Sequence, residues 1–347
     1  MTPTSALRRL AVSLAAATLL CAVAAPAILA AQSPYKIVDR WKIGGDGFWD
    51  YLIADGGAHR LYLSHGARVE AIDTATGKSL GAITGLHGVH GIALDPAGKF
   101  GYISDGGGNA VVVFDRSTLA TVATIPTGQN PDCILYEPAT QTVWTFNGRS
   151  HDISVIDPGT RTVIATIPLA GKPEFAAADG QGNVYNNLED KSQIVRIDAR
   201  THAVTATWPA GCESPSGLAF DIAGHRLFPV CDGKKMSVID SATGKLLANP
   251  AIGDGPDAAG WSAAHSLAFA SSGDGILSVV DASKPDYPTI ESLPTQRGAR
   301  TMAYDAATDR VYLVTAEFGP RPDATPQNPH PRPAIVPGSF TVLVVGR

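Results

Sequence analysis

From about residue 35 to its end the chain alternates short apolar runs with polar turns, and the alternation repeats about every 40 residues. An apolar run that closes on Asp, followed by Thr, recurs as AIDTATG, VFDRSTL, VIDPGTR, RIDARTH and VIDSATG, then degenerates to VVDASKP. The aspartates are Asp73, Asp115, Asp157, Asp198, Asp240 and Asp281, at steps of 42, 42, 41, 42 and 41. Short alternating runs between turn residues predict half-buried strands. A fixed period of this length predicts small sheets that cannot bury their faces alone and must stack side by side.

Each unit reads as a loop rich in Gly and Pro, a first strand, an acidic turn, a second strand with an aromatic residue, a loop, a third strand ending on the Asp, and a fourth strand such as LGAIT or VIATIP. The turn residue after the first strand is Asp55, Asp95, Glu137, Asp179, Asp221, Ser262 and Asp305, which gives seven units. An Asp that starts a type I turn bonds its own backbone two residues on, so its recurrence needs no catalytic role. The second-strand aromatics Tyr62, Tyr102, Trp144, Tyr185, Phe228, Phe269 and Tyr312 recur too regularly for a site and are expected to pack between units. The expected fold is all-β: a seven-bladed β-propeller of four-stranded antiparallel blades.

A ring must join its ends, because an open sheet edge invites mispairing. The seventh unit supplies strands near Ala299–Asp305, Arg310–Val314 and Phe340–Val345 and stops one strand short, while YKIVDRWKI at Tyr35–Ile43 is a strand without a sheet. Placing it in the last blade closes the ring. The domain call is therefore one propeller over residues 34–347, interrupted in the last blade by a proline-rich insert, residues 318–339, with seven prolines. That insert either covers the central mouth or forms a surface loop.

Residues 1–31 are set apart. Arg8 and Arg9 precede an Ala-rich apolar stretch ending in small residues at Ala30 and Ala31, the form of a cleaved secretory signal peptide. The expected mature chain has no transmembrane anchor and is exported, periplasmic or extracellular. Without Arg8 and Arg9, 25 basic side chains face 32 acidic ones, a net of −7, which disfavours nucleic acid as a partner. A monomer is expected.

The first strand of a propeller blade lines the central channel. The residue five before each acidic turn is Asp50, His90, Asp132, Glu174, Ser216, Asp257 and Arg300, with no apolar side chain among them. These seven are the expected ligand-binding ring at the channel mouth, with Trp49 beside Asp50, where other blades carry Pro131, Pro173, Pro215 and Pro256. An aromatic there stacks on a flat ring or sugar, or packs under a neighbouring loop. A second tier at the ends of the second strands holds His65, Asp105, Asn147, Asn187, Cys231, Ser271 and Thr315.

Carboxylate, amide and imidazole groups on one mouth suit a divalent cation, with His90, Asp132, Glu174 and Asn147 as the candidate ligands. Oxygen donors favour calcium or magnesium, and histidine favours zinc or manganese. A solvated, metal-free channel accounts for the same polarity and carries more weight. No haem, nucleotide or flavin motif is present. The Thr76-Gly77-Lys78-Ser79 stretch lacks the first Gly of a phosphate loop, and Thr243-Gly244-Lys245 repeats it at the same point of another blade, so both read as hairpin turns. Cys212 and Cys231 fall together at the mouth of blade five, as a disulfide or as two thiols able to bind metal. Cys133, next to Asp132, is expected to point away from the channel.

The form G-x-x-P, apolar strand, acidic turn, aromatic strand and V-x-V-I-D-x-x-T, as in Gly128-Gln129-Asn130-Pro131 through Val155-Ile156-Asp157-Pro158-Gly159-Thr160, resembles the YVTN-type repeat of the YncE-like secreted β-propellers. The resemblance spans about residues 35–347 and departs at Trp49 and in the last blade. It implies an exported seven-bladed propeller without an assigned reaction. Some relatives bind single-stranded DNA, which the acidic charge here disfavours. The expected role is a binding or scaffold protein for a protein, peptide, glycan or small molecule. The alternatives are a metal-dependent lactone hydrolase or lyase, as in other propellers of similar build, and a structural envelope component.

Overall fold

The computed structural model describes residues 35–325 and 331–347, so the expected signal peptide lies outside the described residues. Seven four-stranded antiparallel sheets follow one another along the chain, and the fifth carries one extra short pairing, Lys235–Met236. Their first strands are Leu52–Asp55, Val89–Leu94, Pro131–Glu137, Pro173–Ala178, Glu213–Asp221, Pro256–Ser262 and Thr301–Asp305. Each touches the first strand of the next blade, and the last touches the first, so the seven form a closed ring around an axis.

The closure is the expected one. Lys36–Lys42 pairs antiparallel with Thr341–Gly346 as the outer strand of the seventh blade, from Lys36 opposite Gly346 to Lys42 opposite Thr341. Its two aromatics hold opposite neighbours. Tyr35 meets Phe269 of blade six edge-on at 5.3 Å, and Trp41 packs on Tyr312 at 5.6 Å. Trp41 also lies against Gly77 of blade one, whose φ of +69° and contact with the indole leave no room for a Cβ. Gly244 repeats the arrangement under Trp208. Both Thr-Gly-Lys stretches are thus hairpin turns that seat a tryptophan.

The repeated Asp and Thr are local turn chemistry. The Asp73 carboxylate accepts hydrogen bonds from the Ala75 and Thr76 amides and the Thr76 hydroxyl at 2.8–3.0 Å, and Asp115, Asp198 and Asp240 do the same in their blades. These bonds, that of the Ser117 hydroxyl first, hold Asp115 down at about 2. The second-strand aromatics pack across blade boundaries, as Tyr62 on Phe114, Tyr185 on Phe220 and Phe228 on Trp261. The core is therefore a set of inter-blade layers rather than one central mass.

Cys212 and Cys231 form a disulfide with Cα atoms 5.9 Å apart, tying the entry loop of blade five to its second strand across a separation of 19 residues. Closing a loop of that length stabilises by about 3 kcal/mol in the chain-entropy account. Replacing both cysteines with alanine is expected to lower unfolding free energy in urea by about that amount. An unchanged denaturation midpoint would show that the bridge restrains nothing.

Candidate functional site

Five of the seven ring residues sit in irregular backbone. The pairing of first and second strands slips between Val89 and Ile92, Pro131 and Ile134, Pro173 and Ala176, Pro215 and Leu218, and Pro256 and Ala258. A bulge inserts a residue and re-aims side chains. Here it spans the ring position and the residue after it in most of these blades.

Carbonyls at and beside the ring positions accept from second-strand side chains. Ser104 donates to the Asp132 carbonyl and accepts from the Gly91 amide at 2.7 Å. Asn187 donates to the carbonyls of Ser216 and Gly217, and Ser271 to that of Arg300 at 2.5 Å. Asn187 and Ser271 of the second tier are therefore stitching between blades. His65 stacks on Phe340 at 4.0 Å, Asp105 accepts from the His87 amide, and Thr315 donates to the Arg297 carbonyl. Asn147 donates through Nδ2 to Asp152 and Ser154 of its own blade, at 2.6 and 3.0 Å, and its Oδ1 is buried with no hydrogen-bond partner among the described residues.

The ring itself divides into three groups. Asp50, His90 and Asp132 come together from adjacent blades, with His90 Nδ1 2.7 Å from Asp50 Oδ2 and 3.6 Å from Asp132 Oδ1. Glu174 pairs instead with Lys172 at 3.2 Å, and Lys172 also holds Glu189. Asp257 pairs with Arg300 at 2.8 Å. Ser216 joins none of them. Its hydroxyl donates to the carbonyls of Val230 and Pro256, a structural bond across blades five and six.

Burial and crowding set the electrostatics. Burial alone would lower His90, but the Asp50 hydrogen bond and the charges of Asp132 and Glu174 outweigh it and raise the imidazole to about 9. Burial pushes Asp132 up against the opposing pull of His90. Glu174 rises through burial and then the Asp132 charge, and Asp257 through burial against Arg300. Five carboxylates, Glu189 included, thus share three cationic partners, the arrangement that keeps a proton or a bound cation at such a site.

Just beneath the ring the channel is blocked. Tyr51 of blade one and Phe175 of blade four, whose first strands are not neighbours in the ring, meet with centroids 4.7 Å apart. Beside them, between Asp50, Glu174 and Asp257, is a space of about 10 Å³, room for one water at most. Cys133 is buried in the layer of Trp144, Phe146 and Ala176 between blades three and four, with Tyr51 packed against that layer. Burial raises its thiol well above the ordinary range, so it stays protonated.

Sharing Asp257 with that small space is a cup of about 430 Å³, walled by Phe48, Trp49, Phe318, Arg297, Arg300 and Arg332 together with Ser216, Asp232 and Asp257. Trp49 is buried between Phe340 at 5.4 Å and Phe318 at 6.0 Å, so it packs under the insert and still contributes to the wall. The insert leaves blade seven as a short ribbon, in which Gly319 donates to the Ala334 carbonyl and Val336 to that of Glu317, each at 2.8 Å. Arg297 lies over the Phe318 ring at 5.8 Å. Phe318, Arg332 and Pro333 place the described part of the insert at the mouth.

No family model and no curated protein matches this chain. Among solved structures, one titled Kuenenia stuttgartiensis hydrazine synthase superimposes with a TM-score of 0.66 at 17% identity, over 76% of this chain and 92% of that one. What is shared is the fold. The likeness is one of blade architecture and carries no residue of the mouth across.

Sequence reasoning missed the floor. At the position after the ring, Gly91, Cys133, Gly217, Ala258 and Thr301 are small or short, and Tyr51 and Phe175 are large. Two large aromatics in non-adjacent blades, at a position that is otherwise small, were the available signal.

Proposed function

We propose that this protein is an exported binding protein that holds a small molecule in the cup at the channel mouth. The observation that carries this reading is the cup itself, about 430 Å³ and walled by flat rings and guanidinium groups, beside the point where Tyr51 and Phe175 meet across the ring. Its volume lies within the range of small-molecule sites. The apolar face is Phe48, Trp49 and Phe318. On the polar side Asp257 is paired with Arg300 and Glu189 with Lys172. Arg297 and Arg332 line the same cup and have no ion pair among the described residues. Flat rings beside guanidinium groups suit a small aromatic carboxylate. The repeat form supports a place among YncE-like propellers, and the Ala-rich leader and the disulfide support export.

The test is a panel of aromatic carboxylates, their neutral amides and the matching amines, read by thermal shift and titration calorimetry. Carboxylates are expected to bind saturably and the amides at least roughly tenfold more weakly, with Arg332→Ala reducing the difference. A panel in which no carboxylate binds, or amines bind equally well, would retire the reading.

A metal-dependent lactone hydrolase is the second reading, favoured by the close approach of Asp50, His90 and Asp132. It requires lactone turnover that depends on an added divalent ion and disappears in Asp132→Asn. Without such turnover the protein is a binder and not an enzyme of this class.

A further inference from the structure

We propose that Asp50, His90 and Asp132 form a site for one divalent transition ion, zinc or manganese, in the channel wall between blades one and three. Each offers one donor atom, and the three atoms lie within 4.8 Å of one another. His90 presents Nδ1. Its other nitrogen faces Gly106, where a Cβ would come within 2.7 Å of Nε2, so the ring is fixed with Nδ1 toward the acids. The backbone is pinned as well: the Asp50 amide donates to Ser64 at 2.7 Å, and Ser104 joins Gly91 to the Asp132 carbonyl.

The observation that points to a ligand is Asp132. It is 8% exposed, and its Oδ1 is sealed from solvent and accepts no hydrogen bond. The protein's own groups leave it so for a reason of valence. A hydrogen on Nδ1 serves one acceptor, and Asp50 at 2.7 Å takes it, leaving Asp132 at 3.6 Å. A cation in the same place is bonded by all three atoms at once. The two His90 separations, 2.7 and 3.6 Å, need only small adjustment, since donors about 2.1 Å from a shared ion stand roughly 3 to 3.5 Å apart. One imidazole with two carboxylates suits zinc or manganese better than calcium, which takes six to eight oxygens. Water completes the coordination. Glu174, held by Lys172, stays outside it.

This proposal is independent of what occupies the cup and of whether any reaction follows. Its test uses the metal alone. Protein stripped with chelator is titrated with Zn²⁺ and Mn²⁺, and a crystal soaked in Mn²⁺ is searched for anomalous density. One ion per chain is expected, with a peak bonded to His90 Nδ1, and Asp132→Asn and His90→Gln are expected to weaken binding by roughly a hundredfold. Glu174→Gln is expected to leave affinity within a few-fold. Circular dichroism melts show whether the variants fold, and the anomalous map on the unaltered protein decides the matter if they do not. No saturable binding, a peak elsewhere, or full affinity in a folded His90→Gln variant would overturn the site and show that His90 serves only as a counter-ion to the two acids.

Discussion

Deleting residues 34–43 is expected to give a protein that aggregates on expression or melts far below the intact chain. The outer strand Lys36–Lys42 buries Tyr35 and Trp41, at 1% and 7% exposure, against blades six and one. Two aromatics of that size contribute on the order of 5 kcal/mol, before the ladder to Thr341–Gly346 is counted. That rivals the whole stability of an ordinary domain and corresponds to a fall of roughly 10 °C or more for a chain of this length. The deletion also uncovers Val342, Leu343, Val344 and Val345 as a bare apolar edge, the setting in which strands pair between molecules. Because Lys36 lies opposite Gly346, a short Asn-Gly hairpin can join Arg347 to Tyr35, with new ends opened after Ile43. This permuted chain should recover the stability of the intact one. A soluble deletion variant with an unchanged melt would mean that the ring does not depend on this strand.

The floor gives the second large effect. Phe175→Ala removes one half of the pair that blocks the channel, and a Phe-to-Ala truncation in packed surroundings costs about 3 kcal/mol, at the lower end here because both rings are half-buried. Phe175→Leu keeps more of the volume and should cost less than about 1.5 kcal/mol. Beyond stability, Phe175→Ala enlarges the small space that shares Asp257 with the cup and loosens that wall, so affinity for a cup ligand should fall by at least roughly tenfold while Phe175→Leu binds nearly as well. Urea denaturation and calorimetry on both variants check the two parts separately. Full stability and full affinity in Phe175→Ala would show that the floor is neither packed nor needed.

The blade count, the closing strand and the Cys212–Cys231 bridge were legible because each depends on local rules. Turn aspartates hydrogen-bond their own backbone, strands alternate with period two, and a strand without a sheet has one vacancy to fill. The ring from Asp50 to Arg300 was legible as a set, because it follows from the same register. Its internal chemistry was not. Register alone places Asn187 at the mouth. The bulges at His90, Asp132, Glu174 and Ser216 break the alternation and leave carbonyls that claim Ser104, Asn186 and Asn187. A bulge is a departure from pattern, so a pattern-based reading passes over it. The pairing of Glu174 with Lys172 was hidden for a different reason: Lys172 stands in the entry loop, at a place no repeat marks.

The most direct test of the cup as the binding site is a crystal structure of the protein grown with the strongest-binding aromatic carboxylate. The expected density lies between Trp49 and Phe318, its carboxylate within hydrogen-bond distance of Arg297 or Arg332, above an intact pair of Tyr51 and Phe175. Density on an outer blade groove or the opposite face, with the cup empty, would contradict it.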